Sequence, residues 1–437
     1  MSSSDHPAVL VVGAGPAGLI TALALNKNGV PTRIIERRES FHGGIRGTFI
    51  QPRSIELLAS LGVLDEVLKI SVPPYTIGVH GAGKEILSEM KWAEEADESP
   101  GTPYRCGFNV NQSVFERVLR EQLEKQSIAV ETDVDLVGIE RSASVARACL
   151  LVDGIQREEE FDYIVAADGA KELTFEWRRS SMLDGYFWLV LNIAWKVALV
   201  HKGLAYPSLL DTYEVERVPV IAEMLAMTSN LHKLAFASSS SVSALGEHNA
   251  DVSAGQKVDH MFRPKTGLQL GVNCRWSPIV LDRRDTGAGQ ATLVQNPYGR
   301  DSDVLRAGDR APDAPGLLEQ PGGREARLFT VTAGCTQHAV LVFSGAAPAE
   351  DVKAAIVGLD RYRRGGIASV VVIAPQGSVM PACAGAQVFI DGAGHAYGGY
   401  QIDPRSLVFV VVRPDGIIGA FATGLEQMHK YFSAILL

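Results

Sequence analysis

Six residues near the start of the chain, Gly13-Ala14-Gly15-Pro16-Ala17-Gly18, have the types and spacing to hold a phosphate. Gly13 permits a tight turn, Gly15 lets backbone approach a pyrophosphate, and Gly18 lets a helix lie close against a strand. A helix starting there offers N–H groups and the positive end of its dipole to the same anion. Glu36, with Arg37 beside it, stands where an acid accepts hydrogen bonds from a ribose hydroxyl. An acid at that point suits a free 2′-hydroxyl, which favours NAD or FAD over NADP. The motif does not separate those two.

Such a motif works only between a strand and a helix. Val9 to Val12 is a short apolar run, as in a parallel strand buried on both faces. Leu19 to Asn28 carries helix formers and an apolar stripe, Gly29 ends it, and Thr32 to Ile35 reads as a second strand finishing at Glu36. Ser54 to Leu61 and Val63 to Ile70 read as helices broken at Gly62. Gln112 to Lys125 reads as a helix with Val114, Val118, Leu119 and Leu123 inward, and Phe161 to Ala167 as a buried strand ending in Asp168-Gly169. The expectation is a Rossmann-like α/β unit.

After Ala170 the character changes. Phe187 to Val200 reads as a core helix; Asn192 and Lys196 interrupt it, and it is too short for a membrane span. Leu209 to Met227 reads as a helix kinked or split at Pro219. Ser238 to Ser243 has loop composition, and Asp309 to Glu319, rich in Pro, Asp and Gly, reads as a domain boundary. Leu328 to Thr332, His338 to Phe343, Ser369 to Ile373 and Leu407 to Val412 read as strands of a small α/β domain. The expected division is 1–236, a connecting segment 237–306, and 307–437.

Composition excludes several classes. The 437 residues carry a net charge of −9, against a general nucleic-acid binder. The five cysteines, Cys106, Cys149, Cys274, Cys335 and Cys383, are scattered without a CxxC or Cys/His cluster, so neither a zinc site nor a disulfide framework is expected. The N-terminus lacks a signal-peptide pattern. A soluble, cytoplasmic protein with no membrane or metal partner is expected.

Later segments, in their order, resemble the aromatic-ring hydroxylase family of FAD-dependent (class A) monooxygenases, in particular its fungal phenol 2-monooxygenase-like branch. Arg46-Gly47 followed by Gln51-Pro52-Arg53-Ser54-Ile55-Glu56 is similar to the family's segment after the second strand. The resemblance implies that Arg46 lies near the flavin. Asn111-Gln112 resembles the segment with a flavin-contacting glutamine, and Asp168-Gly169 the motif associated with FAD and NAD(P)H binding. Asn192 to Lys196 and Leu210 to Arg217 resemble the helices after the second flavin motif. Gly308-Asp309-Arg310-Ala311-Pro312-Asp313 and Val411-Val412-Arg413-Pro414-Asp415-Gly416 resemble pieces of that branch's thioredoxin-like C-terminal domain. With no redox Cys pair there, its implied role is packing or oligomer contacts, a homodimer included.

The chain departs from the family in one region. The Gly-Asp motif and Gly-rich loop expected before Asn192 are replaced by Asp184-Gly185-Tyr186-Phe187-Trp188-Leu189-Val190-Leu191. Only about twenty residues join Asp168-Gly169 to Asn192, too few for the family's β-rich substrate domain, since a separate domain needs roughly 50 or more. The implied fold is therefore a truncated p-hydroxybenzoate-hydroxylase-like fold. A deletion, an alternative splice product or a faulty gene model would explain it. The implied activity uses NAD(P)H, a flavin C4a-hydroperoxide and a small phenolic substrate; the alternative is a non-catalytic paralogue that binds FAD, ADP or a partner. No catalytic base is assigned.

Overall fold

The apolar run that opens the chain forms strand β1 (Val9–Val12), buried at every residue because both its faces are covered. The computed structural model describes residues 8–41, 43–44, 49–91, 93, 95–141, 145–169, 187–236, 265–284, 296–299 and 304–437. After β1 come helix α1 (Pro16–Lys27), strand β2 (Thr32–Glu36), and helices α2 (Pro52–Leu61), α3 (Leu64–Leu68) and α4 (Gln112–Glu124). Strand β3 (Val130–Thr132) follows, then β4 (Val134–Arg141), β5 (Ala146–Val152), β6 (Ile155–Phe161) and β7 (Tyr163–Ala166).

Four of these strands make a parallel sheet in the order β7-β1-β2-β3. Side chains alternate along an extended chain, so Val9 and Val11 join one core with α1, α2 and α4, and Leu10 and Val12 join another. That second core is closed by the antiparallel meander β4-β5-β6 through Leu136, Ala148, Leu150 and Phe161. The unit therefore has three layers: helices, parallel sheet, meander. The meander was not expected. Nor does Phe161 belong to the last parallel strand: it ends β6, and the chain turns at Asp162, where the N–H groups of Asp162 and Tyr163 both donate to the Ala8 carbonyl at 2.9 and 3.1 Å.

Helix α5 (Phe187–His201) spans two cores. Phe187, Leu189, Val190, Leu191, Ala194, Val197 and Ala198 pack with the nucleotide-side helices, whereas Trp195 and Leu199 enter the core of the C-terminal sheet. Helix α6 (Asp211–Phe236) runs through Pro219 as one helix, so of the kink or split expected there the split does not occur. Pro219 has no N–H for the Val215 carbonyl one turn back, and the Trp276 indole N–H supplies that bond at 2.8 Å. No helix among the described residues is long and apolar enough to cross a membrane. The expected Ser238–Ser243 loop lies outside the described residues.

The C-terminal sheet has eight strands in the order β8-β15-β14-β11-β12-β13-β9-β10. These are β8 (Leu281–Asp282), β9 (Leu317–Gln320), β10 (Glu325–Ala326), β11 (His338–Phe343), β12 (Ala368–Ala374), β13 (Gln387–Asp391), β14 (Val408–Val412) and β15 (Ile418–Ala422). Helices α7 (Leu328–Thr332), α8 (Ala349–Gly358), α9 (Asp360–Arg364), α10 (His395–Tyr400) and α11 (Leu425–Ser433) lie between or after them. Leu328–Thr332 is thus a helical turn and not a strand, because the Asp313 carboxylate accepts from the Phe329 and Ala314 amides at 2.8 Å and holds its start. Asp309, Arg310 and Asp313, read as part of a domain boundary, are buried, and β8, inside the expected connecting segment, pairs with β15. Their charges explain this. The Arg275 fork takes both Asp309 oxygens at 2.7 and 3.0 Å, and Arg310 reaches Glu56 at 3.0 Å.

A buried charge network joins the C-terminal sheet to α5 and α6. Arg413 donates to both Glu216 oxygens at 2.8 and 3.0 Å and to both Asp415 oxygens at 3.0 and 2.5 Å. Lys196 reaches Glu216 at 3.0 Å, Arg217 reaches it at 3.2 Å, and Ser277 donates to it at 2.6 Å. Asn192 donates to Glu216 at 2.8 Å and to Asp415 at 2.6 Å. Burial, the largest single influence, would raise both carboxyls, but the surrounding cations together outweigh it, Arg413 and Arg217 holding Asp415 at about 2 and Arg413, Lys196 and Arg217 holding Glu216 well below the carboxylate range. Burial lowers Lys196 to about 8 against the pull of Glu216.

Two stability predictions follow from these groups. The network holds three cations and two anions, so Lys196→Met leaves it balanced, while Asp415→Ala leaves buried positive charge uncompensated. Asp415→Ala should lose about 3–5 kcal/mol in urea unfolding and Lys196→Met clearly less. His338 lies edge-on to Trp195, and burial pushes it down to about 4. Between pH 6.5 and 4 the unfolded chain binds this proton and the folded chain does not, so stability falls as pH falls. About 2 kcal/mol of the wild-type loss between pH 7 and 5 should be absent in His338→Phe, and equal pH slopes would refute the assignment.

Candidate functional site

Three strand ends converge on the glycine turn. The Gly13 amide donates to the Ile35 carbonyl of β2 at 2.8 Å, and the Ala167 amide donates to Val12 at 2.8 Å. Gly13 has φ +100, and a Cβ there would stand 2.5 Å from the Ala167 carbonyl oxygen and 2.9 Å from Asp168 Cα. The close approach of the β7 end, combined with the left-handed backbone, makes Gly13 obligatory. A Cβ on Gly18 would lie 1.9 Å from the Gly13 oxygen, so helix α1 can lie this near the turn only with glycine there.

Gly15 is different. A Cβ built on it meets nothing within 4 Å, so the glycine faces open space beside the helix start. It is the N-cap of α1, with extended backbone and no side chain capping the helix, and Pro16 supplies the first turn without an N–H. The open space at the dipole's positive end is what a phosphate needs. Ala14 and Ala17 complete the turn between these glycines.

Glu36 ends β2 with its carboxylate over the turn: Oε2 accepts from the Ala14 amide at 3.1 Å and Oε1 from the Arg38 amide at 3.2 Å. These bonds fix the carboxylate, and its remaining lone pairs can accept ribose hydroxyls. Asp168 follows β7 and abuts Gly13, so Glu36 and Asp168 flank the turn from opposite sides, at the carboxyl ends of the strands. Arg37 is exposed next to Glu36. Gln112 opens α4, which Asn111 caps by accepting from the Ser113 amide at 3.0 Å. Arg46 and residues 184–186 lie outside the described residues.

Some positions carry more than the sequence reading gave them. Gln112 donates its amide to Glu116 at 2.8 Å, a buried acid one turn along, which fixes how the amide is turned. The i, i+4 spacing was the available signal. Arg53 and Glu56 were noted only as motif residues; they pair at 2.7 Å and meet the C-terminal unit through Asp415 and Arg310.

Other chemistries lack parts among the described residues. No group of three His, Cys, Asp or Glu could hold a metal. Burial pushes the Cys274 thiol up to about 12 and raises Cys335, which suits inert core thiols. A cavity of about 680 Å³ lies in the C-terminal unit, lined among others by Arg324, Arg327, Thr330 and Phe389, none of them a residue of the nucleotide cradle.

Residues 6–176, which include this cradle, match the family model described as an FAD binding domain, and the cofactor is FAD. The open turn at Gly15 and the acid at Glu36 fit its ADP half. The chain is similar to a flavin-dependent monooxygenase of Mycobacteroides abscessus, 27% identical over 169 residues, covering 37% of this chain and 35% of the relative. It is 31% identical over 172 residues to pentachlorophenol 4-monooxygenase of Sphingobium chlorophenolicum, covering 38% and 31%. These matches span about a third of each relative's length. The fold is like that of aklavinone-11 hydroxylase, solved as a ternary complex with FAD and aklavinone, at 20% identity and a TM-score of 0.72 over 99% of both chains.

The two glycines are separable by experiment. Gly15→Ala should leave thermal stability unchanged yet lower FAD affinity on the order of tenfold, since the methyl enters the phosphate space. Gly18→Ala should instead destabilise the fold by roughly 2 kcal/mol or more, through a steric clash with backbone. Thermal unfolding and equilibrium FAD titration of both variants check this.

Proposed function

We propose that this chain is an FAD-dependent monooxygenase that uses NAD(P)H and oxygen to hydroxylate a phenolic ring. The observation that carries the reading is the cradle of Gly13, Gly15, Gly18 and Glu36 at the strand ends, within the segment matched to an FAD binding domain. FAD, when bound, supplies the redox chemistry that side chains lack. The backbone of residues 13–18 binds the pyrophosphate, and Glu36 orients the adenosine ribose. Arg37, Arg46, Gln112 and Asp168 hold the rest of the cofactor, with Gln112 kept in one orientation by Glu116. A flat aromatic substrate is supported by relatives such as the pentachlorophenol enzyme and by the aklavinone complex of the fold neighbour.

The finer placement is in the phenol 2-monooxygenase-like branch, with residues 1–236 as flavin unit and 307–437 as a thioredoxin-like unit that also offers a homodimer contact. Supporting it is the strand order β15-β14-β11-β12, with β11 and β12 parallel across α8 and α9, and β14 and β15 an antiparallel pair before α11. A second reading, a nucleotide-binding paralogue without turnover, is favoured by the 17 residues 170–186 between Gly169 and Phe187. So short a connection leaves no room for a separate substrate domain.

Purified protein reconstituted with FAD should show flavin absorbance, and a panel of phenols should stimulate NAD(P)H oxidation with hydroxylated product. Bound flavin without stimulated oxidation selects the paralogue. Colourless protein that ignores added FAD sinks the monooxygenase reading.

A further inference from the structure

Asp415 sits in the turn between β14 and β15, far in sequence from every cofactor residue, yet side chains from two helices of the flavin unit converge on it. Its Oδ2 accepts from Asn192 at 2.6 Å and from the Trp195 indole at 3.3 Å, both on α5. Its main-chain carbonyl accepts from Arg53 on α2 at 2.7 Å. Arg413 grips the same carboxylate, and Arg217 of α6 lies 3.7 Å from Oδ2. The turn is tight enough that a Cβ on Gly416, at φ +72, would stand 2.9 Å from the Arg53 guanidinium. Asn192, Trp195, Arg53 and Asp415 are all nearly or fully buried, so water does not substitute for a lost bond.

These helices lead to the cofactor residues. Phe187, the first residue of α5, stacks on Phe115 with ring centroids 5.6 Å apart, and Phe115 lies one turn along α4 from Gln112. Helix α2 packs in the same core as α5 and α4 through Ile55, Leu57 and Leu58. Glu56 on α2 is held in turn by Thr102 at 3.0 Å and by Arg310 of the C-terminal unit at 3.0 Å. The turn of the ADP cradle is held by β1, β2 and β7 through their own ladder, and the C-terminal unit meets α1 at its far end, where Asn28 donates to the Cys335 carbonyl at 3.1 Å.

We infer that Asp415 is a positioning residue for the flavin half of the cofactor, fixing α2 and α5 from the C-terminal unit, which is thereby part of the flavin site. The inference rests on the FAD reading above. Its signature is a loss confined to one half of the cofactor, which a general weakening of the fold would not produce.

The test compares FAD and ADP affinities of the full-length Asp415→Asn and Arg53→Lys variants with wild type. FAD affinity should fall roughly tenfold or more, because small displacements of distant supports are amplified at a bound ligand, while ADP affinity stays within about threefold. The flavin absorbance of bound FAD should also lose its fine structure. Unchanged FAD affinity in a folded variant overturns the inference, and so does an equal loss for FAD and ADP. If Asp415→Asn does not fold, Arg53→Lys decides by the same criteria, because it keeps the Asp415 carboxylate and its partners and alters only the bonds of Arg53 itself, to the Asp415 carbonyl and to Glu56. Wild-type protein that binds neither ligand would sink the functional reading itself.

Discussion

Five charges buried together constrain the whole molecule: Lys196, Glu216, Arg217, Arg413 and Asp415. Removing such groups from water is expensive unless each finds partners in good geometry, and breaking one pair strands the others. The partners lie on α5, on α6 and in the β14–β15 turn, and Arg413 and Glu216 are 197 residues apart. Arg413 divides its guanidinium between Asp415 in its own turn and Glu216 on α6, and Lys196 on α5 has its anion on α6. The C-terminal sheet and the nucleotide unit therefore assemble as one body, and the apolar surface of α5, shared between two cores, has a fixed partner on each side.

The cradle depends on a second constraint, steric in kind. At Gly13 and Gly18 the backbone comes too near its neighbours for a side chain, whereas Gly15 looks onto open space. Two glycines thus serve the packing of strand ends and helix, and the third leaves the space that the proposed reading gives to the pyrophosphate. Glu36 belongs to both roles in the proposed reading: two amide bonds hold its carboxylate over the turn, and its free lone pairs are left for a ribose. An element that packs itself and an element that binds are here the same six residues and one acid.

The nucleotide unit was legible because its signals are local. Val9 to Glu36 shows strand, turn, helix and strand within reach of short-range patterns, and the observed bounds of β1 and β2 agree with them. The helix begins at Pro16 and not Leu19, since proline is at ease in a first turn. Long-range pairings were not legible. Arg413-Pro414-Asp415-Gly416 and Asn192 to Lys196 stood out as motifs, but nothing in their spacing shows that they touch. Leu328–Thr332 is apolar and short, and such runs do not declare helix or strand; the Asp313 carboxylate decides, fifteen residues or so away. Asp309 to Glu319 has the composition of a linker, yet Asp309, Arg310 and Asp313 in it are buried and paired. Polar residues read as exposure locally and as attachment once a partner arrives.

The central claim is that one cooperative body, closed by the Glu216–Arg413–Asp415 network, holds FAD at its N-terminal strand ends. Native-state hydrogen exchange followed by mass spectrometry, with and without FAD, tests it most directly. A ligand that binds only the folded state raises the opening free energy of every segment that unfolds together. The account predicts that FAD slows exchange in β1 and α1, and to the same degree in α5 and the β14–β15 pair. Protection confined to residues 9–36, with the C-terminal strands exchanging as before, would contradict it.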